Sequence, residues 1–329
     1  MDQRIPNYDA ADPLQCSVPL NLHRTLHPFG FPVHIKSNDQ SVMRAADESW
    51  GIFKPNFNVA PMNLRFIVSP SMTRRRLPIP TFRAQGNLLS LVADANNFGS
   101  CDLATGFGFA CLTQTATAHR DYLRQHFIEA MAYTLLDTQH TLAIHAACVE
   151  FEKHGFLLVG DSGAGKSSLA YACSRRGWSY VCDDASSLIL HKTGRRVVGN
   201  PQTFRLRPSA LPFFPEIKGR AKLRNGKLTI EIRTEQLRHM RVSQESTVDY
   251  ILFLKRPESY SGEARLAPVT RIDTFTRLVK NPWPVELSIH EQRGETLERV
   301  LDAPAYELVY GDFDSAIQLL ERLARGEKM

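Results

Sequence analysis

No run of eighteen apolar residues occurs in the 329-residue chain, which excludes a membrane-crossing helix, and we expect no membrane partner. The opening residues, Met1 to Tyr8, lack the charged-then-apolar order of a secretory leader, so a cytoplasmic protein is expected. Six cysteines, at 16, 101, 111, 148, 173 and 182, include no C-x-x-C pair, which argues against a zinc site or a disulfide framework. Several fall in apolar runs, where a reduced thiol acts as a small hydrophobe. Internal repeats and low-complexity segments are also absent. Acidic residues are outnumbered, 34 against 40 Lys and Arg, and the resulting net charge of +6 suits an anionic ligand. The densest basic run, Arg74 to Arg76, stands beside Pro78 and Pro80 with no zinc-finger or RNA-recognition motif around it. We therefore expect no nucleic-acid partner.

What the chain does have is one dense motif. Gly160-Asp-Ser-Gly-Ala-Gly-Lys-Ser167 fits the pattern G-x-x-x-x-G-K-[ST] of a phosphate-binding loop, the P-loop or Walker A motif. Phe156–Val159 before it is a short apolar run, as in a buried strand. Ser167–Ser174 after it carries Leu169, Ala170, Ala172 and Cys173, as in a packed helix. Glycines let such a loop fold tightly, and its N–H groups with the helix N-terminus supply positive potential. Gly160, Asp161, Ser162, Gly163, Ala164, Gly165, Lys166, Ser167 and Ser168 are thus the candidate nucleotide contacts. Lys166 would reach the terminal phosphates and Ser167 would hold magnesium.

Two further features flank the motif. Arg176-Gly177 suits a helix C-terminus, and Trp178–Cys182 then reads as a strand ending in Asp183-Asp184. Beside a P-loop, one such acid can bind metal while the other accepts a proton; alone, the pair is an ordinary solvated turn. Upstream, Thr141–Phe151 reads as one strand with His145 near its middle. A strand histidine is by itself more often a packing residue than a catalytic one.

Together, His145, the Gly160–Ser167 loop, Arg176-Gly177 and Asp183-Asp184 resemble the catalytic domain of the HPr kinase/phosphorylase-like family, a P-loop family related to PEP carboxykinase. The resemblance covers about 40 residues strongly and fades towards residue 260. It implies ATP and Mg2+ as ligands and gives the residues roles. Lys166 holds phosphate, Asp183 accepts the hydroxyl proton, and His145 orients Asp183 or the γ-phosphate. Ser167 and Asp184, with Glu216, hold magnesium. The chain departs from the family after the Asp pair. Where typical members carry Glu-Ile-Arg-Gly-Leu-Gly, it reads Glu216-Ile-Lys-Gly-Arg220. A surface-loop role for Glu216 therefore stays open, as do the reverse phosphorylase reaction and the HPr substrate.

The expected organisation has two parts. Residues 1–118 carry strand-like runs at Val33–Lys36, Leu64–Val68, Leu88–Val92 and Phe107–Leu112, a helix near Met43–Glu48, and turns at Gly86-Asn87 and Asn96–Ser100. This reads as a β-rich, mostly antiparallel α+β domain that docks the acceptor or makes contacts between copies of the chain. Residues 119–329 form the α/β P-loop-containing, HPr-kinase-like catalytic domain, entered by a helix from 119 to 137. Leu123, Phe127, Met131 and Leu135 share one face of that helix. Arg205 and Arg207 alternate along a later strand, where a guanidinium could stabilise a transferring phosphoryl group; two solvated strand arginines fit the same pattern. The resemblance implies an ATP-dependent kinase acting on a hydroxyl, with a serine of a peptide or protein as first choice. A small-molecule kinase, an ATPase and a non-catalytic ATP-binding protein remain open.

Overall fold

The computed structural model describes residues 18–70, 77–190, 194–217, 221–224, 227–237, 240–257, 260–279 and 287–327, without the side chains of 222–224, 227 and 287–291. Arg74–Arg76, Cys16 and 218–220, named above, lie outside the described residues. The protein is mixed α/β with several sheets. Its contacts divide it into two compact units, with the division between Leu136 and Asp137.

The first unit holds β1 (Leu22–Leu26), β2 (Val33–Ser37), helix α1 (Gln40–Trp50), β3 (Met62–Ser69), β4 (Thr81–Gln85), β5 (Leu88–Asp94), β6 (Asn97–Asp102) and β7 (Phe107–Thr113). The strands form one sheet in the order β1-β2-β3-β7-β6-β5-β4. The β2–β3 and β3–β7 pairs are parallel, and α1 makes the crossover that the first of them needs. One expectation needs correction: Asn96–Ser100 is not a turn, because β6 starts at Asn97. The turn is tightened earlier by Asp94 Oδ1, which accepts the N–H groups of Asn96 and Asn97.

The helix expected over 119–137 is present, with a π turn inside it and a short helix before it. It runs as α2 (Gln114–Ala118), α3 (Arg120–Leu123), a π turn (Arg124–Glu129) and α4 (Ala130–Gln139). Its apolar face is as expected, with Leu123, Phe127, Ile128, Met131, Ala132 and Leu135 fully buried. Tyr133 stacks on Phe29 at 5.1 Å and accepts from Trp50 Nε1, while Glu129 accepts from Ser49. Those contacts tie the stretch to the first unit. The boundary therefore falls at 136/137 rather than at 118/119.

The second unit holds β8 (Thr141–Ile144), β9 (Ala146–Phe151), β10 (His154–Val159), α5 (Lys166–Arg175), β11 (Ser179–Cys182), β12 (Ser186–Ile189), β13 (Arg196–Val198), β14 (Thr203–Leu206), β15 (Lys222–Arg224), β16 (Lys227–Arg233), β17 (Arg241–Val242), β18 (Glu245–Lys255), β19 (Arg265–Pro268), α6 (Arg271–Leu278), α7 (Leu287–Val300), β20 (Ala305–Val309) and α8 (Phe313–Ala324). The main sheet runs β17-β11-β9-β10-β18-β13-β12-β8, with β20 parallel to the end of β18. Alternation along β10 sends Phe156 and Leu158 to one face, with Leu169, Trp178 and Leu320. Leu157 and Val159 go to the other, with Ile144, Phe253 and Val300. α5 ends as its sequence suggests: Gly177 takes φ 94° and Trp178 N–H reaches back to Cys173 O.

Thr141–Phe151 is two strands, broken at His145. β9 pairs with β10 and β11, whereas β8 pairs with β12 at the far side of the sheet. The Asp183–Ala185 stretch, between β11 and β12, breaks opposite it. Among the described residues no helix is long and apolar enough to cross a membrane, and the five cysteines are free thiols.

One buried ion pair ties the start of this unit to α7. Arg293 donates to the carbonyl and to Oδ2 of Asp137, at 2.8 and 3.2 Å, and Asp137 Oδ1 accepts from Ala143 N–H. The two side chains are only 7% and 9% exposed. Removing one partner strands a buried charge. Asp137→Ala should therefore cost roughly 3–5 kcal/mol in denaturant unfolding, and Asp137→Leu with Arg293→Met should recover most of it. Single variants as stable as wild type would show that the pair carries no structural load.

Candidate active site

The Gly160–Ser167 loop joins β10 to α5, as the motif predicts. Gly163 and Gly165 take φ 102° and 95°, values that favour glycine. Space is as tight as the backbone is unusual. A Cβ on Gly160 would lie 2.8 Å from that of Ala164, and one on Gly165 would lie 2.9 Å from the Tyr310 hydroxyl. Lys166 is 6% exposed and donates from Nζ to Gly160 O at 2.7 Å and Asp161 O at 3.3 Å. The ammonium is thus folded back on the loop's own carbonyls.

The break in the sheet sits beside this loop and leaves backbone carbonyls that side chains satisfy. Ser167 Oγ donates to Asp183 O at 3.4 Å, and His145 Nδ1 lies 3.1 Å from Asp184 O. A carbonyl can only accept, so Nδ1 carries a hydrogen and Nε2 is the ring nitrogen left for a ligand. The same Nδ1 is 3.3 Å from Asp184 Oδ1. His145 therefore meets Asp184 rather than the Asp183 carboxylate, one of the two partners the resemblance gave it, and lines the cavity beside the loop, where the other, a γ-phosphate, was expected. The acid-bearing β11 also does not adjoin β10, because β9 lies between them.

The two acids have different surroundings. Asp184 is half-exposed and lines a cavity of about 380 Å³ with His145, Ser162, Gly163, Gly165, Lys166, Ser167, Ser168, Arg205 and Arg207. Asp183 is 4% exposed, and its Oδ2 accepts the backbone N–H of Arg205. Burial pushes its carboxyl up to about 6, the Arg205 charge and N–H opposing that shift. Arg207 reaches over the loop, donating to Ser162 Oγ at 2.8 Å. Arg205 is paired with Glu231 at 3.3 Å, and Lys166 and Arg207 against Asp184 leave the cavity cationic, as a polyphosphate needs. The sequence pattern around Arg205 and Arg207 could not separate this role from solvated strand arginines. Ser209 and Thr229, which also line the cavity, carry no motif at all.

Glu216 lies elsewhere. Its carboxylate is 3.0 Å from Arg175 Nε and accepts from the Tyr171 hydroxyl, both farther along α5 than Ser167. Among the described residues, no three His, Cys, Asp or Glu side chains converge. Cys182 is buried and its thiol is pushed up to about 12, so it is a packing residue rather than a reactive one.

No family model and no curated protein matches the chain. Solved structures do match, among them the Hpr(Ser) kinase/phosphatase from Coxiella burnetii, at 18% identity and a TM-score of 0.28, over 56% of this chain and 94% of that one. A likeness at that level assigns neither site nor reaction, and the functional reading rests on the residues themselves.

The folded chain holds the Asp183 proton more tightly than the unfolded chain, whose carboxyl titrates near the ordinary 3.8. Its contribution therefore favours folding at low pH and turns against it as pH rises through about 6. Asp183→Asn should raise the melting temperature at about pH 8 and much less at about pH 4.5, without nucleotide. An equal shift at both would show that Asp183 is not strained by its charge.

Proposed function

We propose that this chain is an ATP-dependent kinase of the HPr kinase/phosphorylase-like type, transferring the γ-phosphoryl group to a hydroxyl. The observation that carries this reading is the cationic cavity in which the glycine loop, Lys166 and Ser167 meet Asp184 and His145. Such a set is suited to phosphoryl transfer, where catalysis is chiefly positioning and charge neutralisation.

ATP is the proposed substrate. The loop N–H groups and the α5 N-terminus would hold its phosphates, with the Lys166 ammonium released from the Gly160 and Asp161 carbonyls to do so. Ser167 and Asp184, which line the same cavity, are fit to hold Mg2+ with phosphate oxygens and water completing its shell. Bound there, the ion would offset phosphate charge. Glu216 is left out of this set because its carboxylate is engaged by Arg175 and Tyr171.

The hydroxyl proton is assigned to the Asp183–Asp184 pair. Asp184 is nearer the ligand space, whereas Asp183, held at about 6, is better matched to proton transfer near neutrality. His145 fixes the Asp184 carboxylate through Nδ1–H. Arg207, tethered to Ser162, is suited to charge on the transferring group.

ADP release from Mg-ATP is the test. Lys166→Ala should lower kcat/KM by roughly 100-fold or more while leaving the melting temperature little changed. Asp184→Asn should raise the Mg2+ concentration needed for half-maximal rate, and Asp183→Asn should retain ADP binding with a reduced kcat. Normal turnover in all three folded variants would refute the kinase reading.

A further inference from the structure

A second cavity, of about 860 Å³, opens on the β10 face opposite α5. It is lined by Leu142, Ile144, Val159, Phe253, Phe275, Leu278 and other residues of β8, β18, α6 and α7. It meets the phosphate cavity at only two shared residues, His145 and Ser162. It touches the first residues of the glycine loop, Gly160 to Ser162, whereas the phosphate cavity extends along the later ones to Ser168. A molecule seated here would face a phosphoryl group on the loop across His145, beside Asp184.

Three features describe what fits. The floor is apolar and of the size that encloses a small organic molecule, roughly 300–1,000 Å³. One wall carries charge: among the described residues Lys255 and Arg277 both pair with Glu307, at 3.6 and 3.4 Å, while the other lining carboxylate, Asp161, belongs to the glycine loop, so the Lys255–Arg277 end is the one suited to a ligand carboxylate. Third, α7 has a glycine at its cavity face. Gly294 lies inside the helix, where Gly is less stable than Ala, and a Cβ there would meet nothing within 4 Å. The helix gives up stability at the point where a side chain would take up cavity space.

We propose that this cavity is the acceptor pocket of the kinase and that the acceptor is a small hydroxy acid with an apolar body, rather than a serine on a protein surface. The proposal rests on the kinase reading above. The apolar body lies against Leu142, Ile144 and Phe253, the carboxylate takes up the Lys255–Arg277 end, and the hydroxyl reaches the His145 seam. There the acceptor oxygen bonds to the γ-phosphorus and the bond to the β–γ bridging oxygen breaks. Its electron pair leaves on ADP, and the hydroxyl proton passes to the Asp183–Asp184 pair.

The test uses the full chain with Mg-ATP and phenyllactate, mandelate or β-hydroxybutyrate, each beside its uncharged amide. At least one acid should stimulate ADP release about tenfold more than its amide, as expected for a charged hydrogen-bonded partner. Gly294→Phe, at a cavity-lining position where a Cβ meets nothing within 4 Å, should abolish that stimulation while ADP affinity by calorimetry stays unchanged. Arg277→Gln should erase the preference for acid over amide. If ADP binds but no acid stimulates, or if Gly294→Phe responds like wild type, the pocket assignment is overturned. The same holds if Gly294→Phe transfers phosphate to serine peptides as fast as wild type. If wild type does not bind ADP, the kinase reading itself falls, and the pocket's role with it.

Discussion

The break shared by two neighbouring strand segments is the constraint on which the site depends. Thr141–Phe151 and Ser179–Ile189 pair antiparallel along their length, with Cys148 opposite Cys182 and Ile144 opposite Ser186. Both segments break between those pairs, at His145 and at Asp183–Ala185. On one side of the break β9 lies beside β10 and carries β11 on its other edge; on the other side β12 joins β13 and carries β8. The opening between them would be costly if its carbonyls were left bare. Ser167, His145 and Ser186 supply the missing donors, to Asp183 O, Asp184 O and Ala146 O. A strand defect is thereby turned into a fixed arrangement of a serine, a histidine and two acids at the N-terminus of α5.

Charge then divides the work between the two acids. Asp184 stands at the opening and meets the cations of the cavity. Asp183 is buried and holds the Arg205 backbone in β14, just before Arg207, which follows the strand and reaches Ser162. Burying a carboxylate for that purpose works against stability at neutral pH. Such a cost is commonly concentrated at functional sites, where the rest of the fold compensates. The compensation here includes the aromatic packing around α5, with Tyr180 stacked on Phe204 at 3.6 Å and Tyr171 edge-on to Phe214.

Local patterns in the sequence were readable to the extent that their causes are local. The glycine loop, the strand before it, the Gly177 helix end and the amphipathic face from Leu123 to Leu135 follow from periodicity and backbone preference. Pairing was not readable. Nothing in Thr141–Phe151 marks His145 as a break, because its cause is where β8 finds a partner, some 40 residues away. For the same reason the resemblance set His145 against Asp183 or the γ-phosphate, whereas the register brings its ring to the Asp184 carboxylate. Glu216 lies beyond the reach of spacing arguments, since Arg175 and Tyr171 claim it only after α5 has formed. The larger cavity, of about 860 Å³, is assembled from β8, β18, α6 and α7, segments with no shared motif. The π turn within the 119–137 helix was not readable, because the apolar stripe is continuous through it.

The central claim is that the Gly160–Ser167 loop and the cavity beside it hold a polyphosphate. A crystal structure with Mg2+ and a non-hydrolysable ATP analogue measures this directly. The account predicts phosphate oxygens within hydrogen-bond distance of the loop N–H groups, with Lys166 Nζ moved from Gly160 O onto phosphate. An analogue bound at another site, with Lys166 still on Gly160 O, would contradict it.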